Sequence, residues 1–257
     1  MENWQDQGIV LRTRPHGESG ALVTLLTERH GRHAGYARGG QSSKLRGMIE
    51  PGNLVGARWE GRAEDQLGSW KLEPDRSFSS LLMDDPLKLS AMLSACALCD
   101  AALPEREGHP GLFHGLLALF EVMDGDFWGP AYVMWEIALL RELGFSLDLT
   151  RCVAGGSDDL EWVSPKSGGA VSKNKGDPYA NKLLPLPDFL KPARGGGDAA
   201  DVLTGLRMTG YFLEHRAFIH HAQGVPEERR RLEARLERVA PVAGSDTRLA
   251  ERGISSL

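Results

Sequence analysis

No stretch of the chain approaches the roughly 18–20 unbroken apolar residues that a membrane-spanning helix needs. The opening residues, Met1-Glu2-Asn3-Trp4-Gln5-Asp6, have neither the basic nor the apolar region of a secretion signal, so none is expected. Cysteine is scarce. Cys96, Cys99 and Cys152 are the only three in 257 residues, which excludes a disulfide framework and fits a reducing cytoplasm. The common catalytic signatures are missing too. Gly39-Gly40-Gln41-Ser42-Ser43-Lys44 lacks the glycine that precedes the lysine of a phosphate loop. No GxSxG elbow, HExxH or GxGxxG string occurs. These gaps point to a protein that is not an enzyme, needs no ATP and carries no cofactor. The net charge of −5 alone argues against a nucleic-acid binder, but it is the local clustering of charge that matters for such a partner.

The chain is long enough for two domains with separate cores. Residues 7–75 have β character. Short branched or alternating runs at Gln7–Thr13, Ala21–Thr27, Arg32–Arg38, Asn53–Glu60 and Gln66–Leu72 predict five strands. Turn residues separate them at Pro15-His16-Gly17-Glu18, His30-Gly31, Gly39-Gly40 and Pro51-Gly52-Asn53. Five short strands in so little chain suggest a closed barrel, because closure removes exposed edges.

After Pro74 the period becomes helical. Asp85-Pro86 caps a helix carrying Leu89, Met92, Leu93, Cys96, Cys99 and Leu103, and Pro104 ends it. His109-Pro110 and Gly129-Pro130 open two more, the second stopping near Gly144. Residues 145–198, rich in Gly, Pro, Ser and Lys, show little periodicity. Helical spacing returns from Ala199 to about His221 and again after Pro226.

The segment Arg29 to Arg46 holds Arg29, Arg32, Arg38, Lys44 and Arg46, with no acidic residue. His30 and His33 add donors, and Tyr36 adds a face for stacking. Cations, an aromatic face and flexible glycines are what a polyanion with bases needs, although a solvated surface has the same composition. Arg32 and Arg38 are an even number of residues apart, which puts them on one strand face. Lys44 and Arg46 fall in a polar loop. Arg229, Arg230 and Arg231 alternate with acidic residues and predict a salt-bridged surface helix. Cys96 and Cys99 have CxxC spacing but lie mid-helix on an apolar face, which suits core packing. His215, His220 and His221 do not share a helical face and make a poor metal set.

Several strings together resemble a known family. They are Gly8-Ile9-Val10-Leu11-Arg12-Thr13-Arg14-Pro15-His16-Gly17-Glu18-Ser19, Val23 to Gly31, Ala37 to Arg46, Leu143 to Cys152 and Val163 to Ser172. In this order and spacing the chain resembles the RecO recombination mediators. The resemblance implies an α+β multidomain protein. An N-terminal oligonucleotide-binding (OB-fold) β-barrel, residues 1–78, would be followed by a helical domain, 79–257, with a long irregular central loop at 145–198. It also implies single- and double-stranded DNA binding, annealing of complementary strands, and recombinase loading together with RecR and the C-terminal tail of single-stranded DNA-binding protein. Many members carry a four-cysteine zinc site in the central loop. Here its first motif is Cys152-Val153-Ala154-Gly155 and no cysteine follows, so no metal is expected and Trp162, Val163, Leu183 and Leu184 must anchor the loop.

The expected DNA contacts are therefore Arg29, Arg32, Tyr36, Arg38, Lys44 and Arg46. Lys166, Lys173 and Lys175 form either a second contact or simply an exposed loop. Arg207 and Arg216, beside Met208, Tyr211 and Phe212, are the candidates for the acidic tail. The competing reading is a helical protein-interaction scaffold with a structural barrel and no DNA role. A metal-dependent nuclease using Asp158 and Asp159 is a third.

Overall fold

The computed structural model describes residues 2–61, 67–157, 159–191 and 195–240. Gln66, Asp158 and the chain from 241 onward therefore lie outside the described residues. Strands β1 (Glu2–His16), β2 (Gly20–Thr27) and β3 (Gly31–Ala37) form a meander, followed by the short helix α1 (Ser43–Met48) and strands β4 (Leu54–Gly61) and β5 (Gly68–Arg76). They close into a barrel in the order β1-β2-β3-β5-β4. The long β1 pairs with β4 through its first half and with β2 through its second. The parallel contact of Gly35–Ala37 with Gly68–Trp70 shuts the barrel. Glycine is needed at 35, where a Cβ would stand 2.6 Å from the Trp70 indole nitrogen.

Strand alternation sorts two cores. Val10, Val23, Leu25, Val55, Trp59 and Trp70 point into the barrel. Ile9, Leu11 and Leu26 point outward and, with Leu54, join the apolar cluster of the helical region. Those four side chains make the seam between the two parts, each contributing about 1.5–3 kcal/mol on full burial. The chain after the barrel also folds back on it. The Arg106 amide donates to the Arg32 carbonyl at 2.8 Å, and Gly31, at φ 66°, leaves room for the backbone of Glu107.

The helical part comprises α2 (Phe78–Leu81), α3 (Pro86–Ala102), α4 (Pro110–Val122) and α5 (Trp128–Glu142), then a central segment, then α7 (Ala199–Phe212) and α8 (Glu227–Val239). Asp85 caps α3 as expected, accepting from the amides of Leu87 and Lys88. The central segment is more ordered than its composition suggests. It holds a three-stranded antiparallel sheet of β6 (Leu160–Val163), β7 (Ala170–Ser172) and β8 (Leu184–Pro185), with α6 (Lys173–Gly176) between the last two. Strands of two to four residues are too short to show alternation. Val163 and Leu184 do pack against the helical core. The helix from Ala199 stops at Phe212 and continues as a wider turn over Leu213–Ala217, where the Phe218 amide reaches the Leu213 carbonyl at 2.8 Å. Among the described residues, no helix is long and apolar enough to cross a membrane.

Candidate nucleic-acid interface

The outward face of β1, β2 and β3 is only half covered. The seam hides its lower part. Its upper part, with Arg12, Arg14, Leu22, Thr24, Arg32 and Ala34, is the floor of a cleft of about 1070 Å³. Leu67, at the β4–β5 connection, is on its rim. The opposite wall comes from α3, with Asp100, and from residues 221–228 with Arg230 and Arg231, so that Val225 and the arginines stand beside Glu227 and Glu228. Register explains the floor: Arg14 pairs with Leu22, which pairs with Tyr36, and Arg12 with Thr24, which pairs with Ala34. Cross-strand partners share a face.

The basic segment does not form one patch. The turn from β2 to β3 puts Arg29 at the far end of the barrel from the turn between β1 and β2. There Arg29 donates to Asp6 and to the Gln5 carbonyl, and His30 stacks on Trp4 with ring centroids 3.9 Å apart. Burial would raise the Asp6 pKa, but hydrogen bonds from the Arg29 amide and His30 outweigh it and hold the carboxyl below its usual range. Arg32 points outward, as expected, but is engaged. Its Nε donates to the Leu103 carbonyl at 2.8 Å, and Asp100 and Glu105 are each 3.5 Å from Nη1.

Arg38 lies in the turn just beyond β3 rather than within it. Lys44 and Arg46 are on α1, not in a loop. A six-residue helix shows no periodicity, but Ser42, whose hydroxyl caps the Leu45 amide at 3.4 Å, is a signal that could have revealed it. The Gln41 side chain ties this region to the β1–β2 turn, donating to the Gly17 and Gly20 carbonyls at 3.0 Å each. Arg14, Arg38, Lys44 and Arg46 thus gather at one end of the barrel. All four are exposed and free of ion pairs among the described residues. Tyr36 lies at the same end, its ring against Gly20 and edge-on to His16 at 6.0 Å.

Of the three consecutive arginines, Arg229 is not on the surface. It is 1% exposed and paired with Glu136. Arg230 and Arg231 face the cleft and were not among the expected contacts, because burial of one arginine in three leaves no mark on an alternating charge pattern. In the central segment, Lys173 pairs with Asp177 at 2.9 Å, while Lys166 and Lys175 are exposed. Arg207 bonds Glu237 at 2.6 Å, and Arg216 donates to the Lys166 carbonyl at 3.0 Å. Met208 and Phe212 are in the core rather than lining a groove, and Tyr211 stacks on His215 at 4.1 Å.

Among the described residues, no three His, Cys, Asp or Glu side chains are grouped to hold a metal. The donor set does not fit a thiolate zinc site: Cys96 and Cys99 are buried in the helical core, and the Cys152 sulfur is instead 3.2 Å from the Ser172 amide and 3.4 Å from its hydroxyl.

Comparison with known proteins places this architecture. Residues 1–75 match the family model described as Recombination protein O N terminal, and residues 83–222 match Recombination protein O C terminal. The chain is 49% identical to the DNA repair protein RecO of Rhodospirillum centenum, covering 94% of this chain and 97% of that one. It is 48% identical to that of Caulobacter vibrioides, covering 84% and 89%, and 44% identical to that of Rhodospirillum rubrum, covering 93% and 98%. A closed five-stranded barrel joined to a helical region, with both family models matched in order, shows that the chain belongs to the RecO family of DNA repair proteins.

Proposed function

We propose that the protein serves DNA repair by holding the DNA backbone, single- or double-stranded, in the cleft and along the adjoining basic end of the barrel, and by annealing complementary strands there. The observation that carries this reading is the position of the cleft. It lies on the β1–β2–β3 face of a closed barrel, the face an OB-fold offers to oligonucleotides, and its floor carries the exposed Arg14 beside Arg12 and Arg32, which are paired with Asp100. No Phe, Tyr or Trp is among the described residues lining it. A strand held through its backbone, with no such aromatic platform among the described residues of the cleft, keeps its bases unstacked from the protein and its pairing edges open for annealing. The protein breaks no covalent bond in this role. RecR, and the acidic tail of single-stranded DNA-binding protein at the helical part near Arg207 and Arg216, complete the reading on family membership, as does a cytoplasmic location.

The test is binding of a labelled oligonucleotide across a range of salt, for the parent and for R14A/R38A/K44A/R46A. Each cation that meets a single-strand phosphate contributes about 0.7 to the slope of log affinity against log salt, so the variant should flatten it by roughly 2–3. Its fold should persist, because exposed unpaired charges contribute little to stability. Unchanged slope and affinity would move the site to Lys166, Lys173 and Lys175 if their replacement flattens it. If that fails too, the scaffold reading stands.

A further inference from the structure

One carboxylate on the cleft floor bridges two arginines. Asp100, near the end of α3, has Oδ2 3.3 Å from Arg12 Nη1 and Oδ1 3.5 Å from Arg32 Nη1. Arg12 belongs to β1 and Arg32 to β3, two strands of the barrel, whereas Asp100 comes from the helical part. The Arg12 side chain is 50% exposed, that of Arg32 19% and that of Asp100 14%; all three line the cleft, with Arg12 the most open to it. Guanidinium groups bind carboxylate and phosphate oxygens with the same donor geometry. Two of them, set around one anionic group, make an anion site, and here that site is filled from within the chain. The Nε of Arg32 is fixed on the Leu103 carbonyl and its Nη1 also approaches Glu105, so its guanidinium is held in place independently of Asp100. Arg12 has Asp100 as its ion-pair partner among the described residues. The backbone of α3 around Asp100 is anchored by the buried Cys96, Leu98 and Cys99, so the carboxylate is a fixed neighbour of the two arginines rather than a mobile side chain from a loop.

We propose that Arg12 and Arg32 form a latent phosphate subsite on the cleft floor, and that Asp100, by occupying it, limits how tightly the protein holds a nucleic-acid backbone. This rests on the reading of the cleft as the DNA site. Its consequence is a restrained grip. A strand is retained by Arg14 and the basic barrel end, while Arg12 and Arg32 stay engaged by Asp100 and Glu105, so bound strands can be released once paired.

The experiment is a salt titration of single-stranded oligonucleotide binding by the full chain as D100N, R12A and R12A/D100N, beside the parent. Asn keeps the size of the side chain and one acceptor oxygen, so one of the two contacts is lost along with the charge. D100N should bind more tightly and steepen the slope by about 0.7, the share of the one charge removed, because Arg32 keeps Glu105 beside it. Against an R12A background the same change should add about 0.7 less. If D100N fails to fold, D100S carries the same comparison. A parental slope in the folded variant overturns the proposal. So does a rise of equal size with and without Arg12, which would reflect general charge rather than a subsite. If R14A/R38A/K44A/R46A still flattens the slope in either case, the subsite has failed and the DNA reading survives. If that variant also leaves the slope unchanged, the DNA reading itself has failed.

Discussion

Arg229 on α8 and Glu136 on α5 face each other in the interior of the helical part, a guanidinium against a carboxylate with neither open to solvent. The arginine Nη2 donates to Glu136 Oε2 at 3.1 Å and to the Leu206 carbonyl at 2.6 Å, and Nη1 reaches Glu233 at 3.1 Å. The Thr209 hydroxyl donates to the same Glu136 carboxylate. Three helices, α5, α7 and α8, meet on this one pair. Replacing Glu136 with Ala leaves a buried charge unpaired, and E136A should lose about 3–5 kcal/mol of unfolding free energy. Urea denaturation reads this directly. A loss below about 1 kcal/mol would mean that the pair is not the link between the helices.

His33 gives stability a pH dependence. It is 5% exposed among Trp4, Trp59 and Trp70, and neither ring nitrogen has a partner among the described residues. Burial, helped by the nearby charges of Arg106 and His30, lowers its pKa from 6.5 to about 4. The folded state therefore favours the neutral ring. Above pH 6.5 both folded and unfolded chains carry it neutral and nothing is lost. As pH falls from 6.5 toward 4 the unfolded chain takes up a proton that the folded one refuses, so stability declines by at most about 1.4 kcal/mol per pH unit. Urea midpoints at pH 7.5, 6 and 5 should fall in that order, and H33F should flatten this trend. An H33F protein with the parental dependence would assign it to other groups.

The three cysteines should react very differently. Burial works to raise the Cys152 pKa, but the Ser172 hydroxyl and the amides of Ser172, Ala154 and Gly156 stabilise the thiolate and bring it down to about 7. Burial pushes Cys96 and Cys99 well up. A thiol reagent at pH 7.5 should titrate one group quickly in the native protein and three after denaturation, and C152S should abolish the fast phase. Two or more fast groups would show that α3 opens more readily than its packing allows.

The helices with a proline at the first turn, at Pro86 and Pro110, and the strands around Val23 and Val55 were legible because each carries its own local signal. The cleft was not, since its floor and its far wall lie about two hundred residues apart in sequence and only the fold of the helical part brings Arg230 opposite Arg14. The string containing Arg12 and Arg14 looks like a plain strand, and alternation cannot say which half of its outer face will be covered. Arg29 and Arg46 fall in one basic run, yet successive turns of a meander send them to opposite ends of the barrel. Burial of Arg229 had one visible trace: Glu136 is an isolated acid between Trp135 and Ile137 on an otherwise apolar helix face, and a carboxylate there needs a cation from elsewhere.

The seam of Ile9, Leu11, Leu26 and Leu54 has a kinetic meaning for the cleft. Both walls belong to one continuous apolar cluster, so the gap between them is set when the chain folds and not when a strand arrives. Under the proposed DNA role, capture requires no hinge to close, and little ordering entropy is lost at the moment of contact. Encounter should be governed by the field of the exposed arginines and by ionic strength, and departure by how many phosphates are gripped at once. Under that role, a pre-shaped groove samples many strands briefly rather than holding one for long.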